Sequence, residues 1–215
     1  MITKIIILLL FMTFATFAVT AFAAGDRIDI AKTEQNLPLQ KKHRIVATKV
    51  TEKNEYYEVR GNCEKELRTE MTKNGCAWSD GRKYDSVTTW KVTWEYGYDR
   101  GPRTCSADSF QAKVELVSRY PQWARNDDAP QPLVEKWNSY LQSLEYHENG
   151  HRELAVAAAD ELTRAVEALP PAPTCAALDQ EIRTLSREYM RELDVNEKAY
   201  DEDTTHGVKQ GALFP

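Results

Sequence analysis

The apolar positions change period several times along the chain, and each change marks a different kind of structure. Residues 1–23 (MITKIIILLLFMTFATFAVTAFA) are apolar nearly throughout. Residues 24–42 are polar and end on Lys41-Lys42, which predicts a loose N-terminal arm. Beyond His43, β-branched and aromatic residues cluster at 45–50 (IVATKV) and 56–59 (YYEV), predicting two strands. Gly61-Asn62 then opens a short helix over 63–73, with Leu67 and Met71 one turn apart, and Asn74-Gly75 ends it. Alternation resumes after Asp80-Gly81. Over 87–98, Thr88, Trp90, Val92 and Trp94 share one face, and over 104–119 Phe110, Val114 and Leu116 point inward. Arg100-Gly101-Pro102 is the turn between these two strands.

After a breaker stretch at 126–132 (NDDAPQP), the period becomes helical. Leu133, Trp137, Tyr140, Leu141 and Leu144 begin a pattern that runs to Leu169, where Pro170-Pro171-Ala172-Pro173 stops it. A second long helix follows over about 175–200, with Leu178, Ile182, Leu185, Tyr189 and Leu193 on one face. Strands first and helices afterwards predict an α+β fold. It consists of a small antiparallel sheet with a short helix, then two long helices packed as a hairpin.

The opening apolar segment has one cation, Lys4, and ends in Ala21-Phe22-Ala23, the small residues a signal peptidase requires. It predicts a secretory signal peptide cut before Ala24. The rival reading is an uncleaved anchor, because residues 5–24 are about the 20 needed to span a bilayer. The expected organisation is a signal at 1–23, an arm at 24–42 and one domain over 43–215, exported to the periplasm or the extracellular space. No stable membrane anchor is expected once the signal is cut. Loss of Lys4 takes the net charge from −5 to −6, and four of the six Phe leave with the segment. An acidic chain without a basic block argues against a nucleic-acid partner.

All four cysteines, Cys63, Cys76, Cys105 and Cys175, lie past the signal. An even number in an exported chain favours disulfides, with three connectivities open. One of them closes a local loop between Cys63 and Cys76 and ties Cys105, in a strand, to Cys175, in a helix. A four-Cys zinc site is disfavoured, because no C-x-x-C pair is present.

The chemistry sits inside the first long helix, at His147-Glu148-Asn149-Gly150-His151. Two imidazoles at i and i+4 leave a helix from the same face, near enough to share one Zn²⁺. The intervening Glu148 does not ligate in such an H-E-x-x-H arrangement; it takes a proton from the water held at the metal. Asn149-Gly150 is a poor helix-interior pair, costing on the order of 1 kcal/mol at the glycine alone. A glycine there would let another backbone come close. A third ligand is still needed. The residue six past His151, where metzincins carry a histidine, is Ala157. Glu181 and Glu188 on the next helix are candidates whose simpler role is a solvated face. His43 is most simply a surface residue. If the helices are antiparallel, the tail 200–207 (YDEDTTHG) returns to the level of His147. His206 can then complete the site, with Asp201 or Asp203 as alternative ligand or as a group orienting a ligand histidine.

The tail also carries a resemblance. Tyr57, Val59 and Gly61, residues 84–94 (YDSVTTWKVTW), Cys105, Pro121 and Trp123, Trp137, H-E-x-G-H, Cys175, Asn196 and the ending 200–212 (YDEDTTHGVKQGA) together resemble the bacterial family of secreted zinc-dependent proteases catalogued as domain of unknown function 922. The resemblance implies a zincin-like domain with His147 and His151 as metal ligands, Glu148 as catalytic base and His206 as third ligand. It also implies a Cys105–Cys175 disulfide, with Cys63 and Cys76 an addition. The expected activity is hydrolysis of peptide bonds in a peptide or protein substrate, with Zn²⁺ as cofactor. Tyr146 and Tyr200 are candidates for stabilising the oxyanion. Two other readings stay open: a non-catalytic zinc-holding module of the envelope, and a zinc amidase acting on cell-wall peptides.

Overall fold

The computed structural model describes residues 47–78 and 80–215, all within one compact unit. The expected signal segment, the arm and His43 lie outside the described residues. The fold is α+β, as the change of period predicts. Its three-stranded sheet comprises β1 (Lys49–Val59), β4 (Val87–Arg100) and β5 (Cys105–Trp123) in the order β1-β5-β4. Between β1 and β4 lie the helix α1 (Glu64–Asn74) and a small ribbon, β2 (Cys76–Ala77) with β3 (Lys83–Tyr84). Two long helices follow, α2 (Gln131–Glu167) and α3 (Cys175–Thr204), and then a single 3₁₀ turn at Val208–Gln210.

The sheet is mixed, which corrects the expectation of a wholly antiparallel one. β4 and β5 form the anticipated hairpin, closed where Gly101 N donates to Thr104 O at 2.8 Å. β1 pairs with β5 in parallel, Lys49 opposite Lys113 through Val59 opposite Trp123. Alternation reports which side chains are buried, not which strand lies alongside, so nothing in the pattern identified β5 as the central strand. β1 is also one continuous strand where two were expected. Glu52, Lys53, Asn54 and Glu55 break the apolar pattern because this edge strand faces solvent there. β4 begins at Val87, opposite Arg119, so Pro121 falls where β5 has a strand on one side only, a position a proline tolerates.

Two apolar clusters join the layers. In the larger, Phe110, Ala112, Val114 and Leu116 of β5 meet Ala155, Ala159 and Leu162 of α2 and Leu178 and Ile182 of α3. The small residues of α2 allow the second helix and the sheet to approach together. In the other, Leu67 and Met71 of α1 pack with Trp137, Tyr140 and Leu144 of α2 and with Phe214 from the tail. Phe214 touches the rings of Trp137 and Tyr140 at 5.4 and 5.2 Å. The tail is thereby held against the part of α2 that precedes the motif.

Cys105 and Cys175 form a disulfide with Cα atoms 5.0 Å apart. It is reinforced by paired backbone hydrogen bonds between Cys105 and Ala172. Closing a 70-residue separation restricts the unfolded chain, a stabilisation of about 4 kcal/mol in the loop-entropy account. Such a bond suits an oxidising compartment. No helix among the described residues is long and apolar enough to cross a membrane. Cys63 and Cys76 are both free, which corrects the expected local disulfide. They sit at opposite ends of α1, whose 11 residues span about 16 Å, beyond the roughly 7 Å a disulfide allows. Burial pushes the Cys76 thiol up to about 11, so it stays protonated.

Candidate metal centre

α2 and α3 run antiparallel, and the last turn of α3 arrives beside the motif of α2. His147 and His151 are both buried, at 4% and 7% exposure. His147 Nε2 and His151 Nε2 each lie 3.2 Å from Asp201 Oδ1. These three residues offer one donor atom each, all within 4.8 Å of one another, and can hold a metal ion. Two imidazoles and a carboxylate suit Zn²⁺ or Fe²⁺ by ligand type.

The other ring nitrogens are tied back, as metal-binding imidazoles require. His147 Nδ1 pairs with Gln210 Oε1 at 3.0 Å, and His151 Nδ1 is hydrogen-bonded to Glu197 Oε2. Both Nε2 atoms are thereby directed at one point. Burial opposes charge on His151, but its bonds to Asp201 and Glu197 outweigh that and push it up to about 10. Asp201 is held well below the usual carboxylate range: burial would raise it, and hydrogen bonds from His147 and His151 override that.

Glu148 is buried at 3% exposure. Its Oε1 accepts a hydrogen bond from Ser86 Oγ, and its Oε2 has no protein partner. Buried polar atoms in folded proteins are nearly always satisfied, so an orphaned carboxylate oxygen beside a donor cluster marks a place built for something else. Glu148, the donor cluster and His206 line one cavity of about 730 Å³. The donor set and the orphaned oxygen together fit a metal with a reacting group next to it.

His206 stands one step outside the donor cluster. Its Nδ1 is 3.4 Å from Asp201 Oδ1, its ring lies 4.9 Å from that of Tyr84, and its side chain is 44% exposed. α3 continues through Thr204, about one turn further than its apolar period indicated, and this brings Asp201 to the histidines from its last turn, with the tail alongside. The chain then reverses through three residues with left-handed backbone, Thr205 (φ 54°), His206 (φ 49°) and Gly207 (φ 80°). For a β-branched threonine this is strained, at a cost of about 1–3 kcal/mol. A Cβ on Gly207 would lie 2.9 Å from His147 Cγ, so the glycine serves both the reversal and the contact. Asp203 and the exposed Glu181 and Glu188 are outside the cluster.

Neither oxyanion candidate faces the reacting groups. Tyr146 is 65% exposed and does not line the cavity. The Tyr200 hydroxyl donates to His147 O at 3.1 Å and accepts from Gln210 Nε2 at 3.1 Å. Its ring stacks on His147 at 5.1 Å and meets His151 edge-on at 5.0 Å. Tyr200 is the reason for Gly150: a Cβ there would overlap its hydroxyl and ring. The close neighbour is therefore a side chain and not the backbone that was expected.

Gly150→Ala separates local from tertiary effects. Alanine improves helix propensity by about 1 kcal/mol. Displacement of Tyr200 should nevertheless weaken metal affinity by about 10–100-fold, the usual range for groups supporting a ligand. Competition against a chromogenic chelator measures this, and unchanged affinity would remove Tyr200 from the support of the site.

Glu197, Gln210 and Ser86 were not singled out in the sequence. Glu197 had a signal, since it stands four residues before Asp201 and so shares a helix face with it, as His147 does with His151. No curated protein and no solved structure matches the chain. Residues 54–207 match the family model described as "Bacterial protein of unknown function (DUF922)". That match runs from Asn54, within β1, through Gly207, including every donor of the cluster, and the chain belongs to this family.

Proposed function

We propose that the chain is an exported zinc metallopeptidase in which Glu148 is the general base. The observation that carries this reading is the unpartnered, buried Glu148 Oε2 in the same cavity as the Nε2 atoms of His147 and His151. Zn²⁺ held by His147, His151 and Asp201 would polarise a substrate carbonyl and acidify a water. Glu148 Oε2 takes a proton from the attacking water as the C–O bond forms, then delivers it to the amide nitrogen, which leaves as the amine when the C–N bond breaks. Glu197 and Gln210 keep the two imidazoles in the ligating tautomer. The cavity admits a chain of several residues, in keeping with a peptide substrate. The Cys105–Cys175 disulfide and the apolar opening segment support export.

The test is reconstitution. Metal-stripped protein is titrated with Zn²⁺ and assayed against denatured proteins, a peptide library and cell-wall peptides. Hydrolysis should rise to one equivalent of zinc and vanish on chelation. Fully loaded protein inert towards all three substrates overturns the peptidase in favour of a zinc-holding module. Cleavage confined to cell-wall peptides selects the amidase.

A further inference from the structure

The loop between β3 and β4 contributes a residue that the motif does not contain. We infer that Ser86 is a positioning residue for Glu148: its hydroxyl holds Oε1 and leaves Oε2 as the oxygen that moves the proton. The inference rests on the peptidase reading of the site.

A free carboxylate presents two equivalent oxygens and rotates between them. Here they are made unlike, because Oε1 accepts from Ser86 Oγ while Oε2 is buried without a partner. Ser86 is itself only 6% exposed, so the bond is sheltered from water.

Ser86 is kept in place by its neighbour. Asp85 is clamped by the Arg68 guanidinium, with Nη1 at 2.7 Å from Oδ2, and accepts from Tyr140 Oη at 2.6 Å. Its carbonyl accepts from Tyr57 Oη at 2.8 Å. Arg68 comes from α1, Tyr140 from α2 and Tyr57 from β1. Burial, and next the charge of Asp85, push both tyrosines far above the ordinary phenol range, so they remain donors. Tyr140 lies eight residues before Glu148, about 12 Å along the same helix. The loop is thus joined to α2 at two points, once by Asp85 and once by Ser86. Three separate elements hold one backbone segment, and that segment presents a single hydroxyl to the base.

The test compares zinc-loaded wild type, Ser86→Ala, Glu148→Gln and the double variant. Ser86→Ala should bind zinc one to one and keep KM, with kcat lowered about 10–100-fold. In the Glu148→Gln background the serine change should have no further effect. A readout independent of turnover is the infrared carboxylate band that disappears in Glu148→Gln, which should shift in Ser86→Ala as Oε1 loses its donor. Should Ser86→Ala not fold, the near-isosteric Ser86→Cys, a weak donor, should show the same kcat loss and band shift. An unshifted band, unchanged kcat, or equal loss in both backgrounds overturns the inference. If the loaded wild type hydrolyses nothing, the peptidase reading fails, and the infrared band still decides the role of Ser86.

Discussion

Glu148→Gln should retain one equivalent of metal and lose hydrolysis by about 10²–10⁴-fold in kcat, the usual contribution of a positioned acid–base group. Glutamine matches the acid in size and its carbonyl oxygen can still accept from Ser86, so the cavity and the donor cluster stay intact. What disappears is the capacity of Oε2 to take a proton. Because the two histidines and Asp201 are untouched, the metal content of the variant separates catalysis from binding. Loss of metal together with activity would give Glu148 a structural role instead. Undiminished kcat in the loaded variant would remove it from the reaction.

The second large effect is the pH dependence of metal uptake. In the metal-free protein His151 is pushed up to about 10, so it carries a proton at pH 7 that a metal must displace. Affinity should therefore rise about tenfold per pH unit, about 10³-fold between pH 6 and 9, and level off above about 10. Calorimetry in buffers of different ionisation enthalpy should find about one proton released from His151 at pH 7. The metal-free protein should show a matching trend in stability. His151 binds its proton more tightly when folded, so its contribution is complete below the unfolded value of about 6.5 and is lost as pH rises through about 10. Asp201 acts in the opposite direction: its contribution is present above about 3.9 and fades as pH falls towards its depressed native value. Metal-free protein is accordingly expected to lose stability between pH 7 and 10. A proton count near zero, or affinity flat over that range, would show that His151 is neutral before the metal arrives.

The chain discloses its helices and the ligand pair of α2 because both depend on local period. Leu67 and Met71, the alternating face of β4 and the seam of α2 with α3 fall where spacing puts them. The remainder of the site depends on how far one element extends beside another. Asp201 joins the two histidines because α3 keeps its helical path through Thr204. Gln210 reaches His147 only because Phe214 anchors the tail among Trp137 and Tyr140. Ser86 reaches Glu148 across 62 residues, a distance that no periodicity spans. Tyr200 illustrates the same limit, since its partner at Gly150 was legible as a gap in the helix and not as the ring that fills it. The parallel pairing of β1 and the separation of Cys63 from Cys76 are likewise matters of three-dimensional arrangement.

The order in which the donors occur has a consequence for timing. A chain that emerges with residue 1 first has every strand of its sheet by Trp123, before any cluster residue has appeared. His147 and His151 come next, while Asp201, with Glu197 and Gln210, follows the whole of the helical turn-around. Uptake of an ion by this cluster would therefore be a closing event, performed on a scaffold whose sheet can already be in place. The metal supply of the compartment where folding finishes, more than ligand preference alone, would then select the ion held by this cluster.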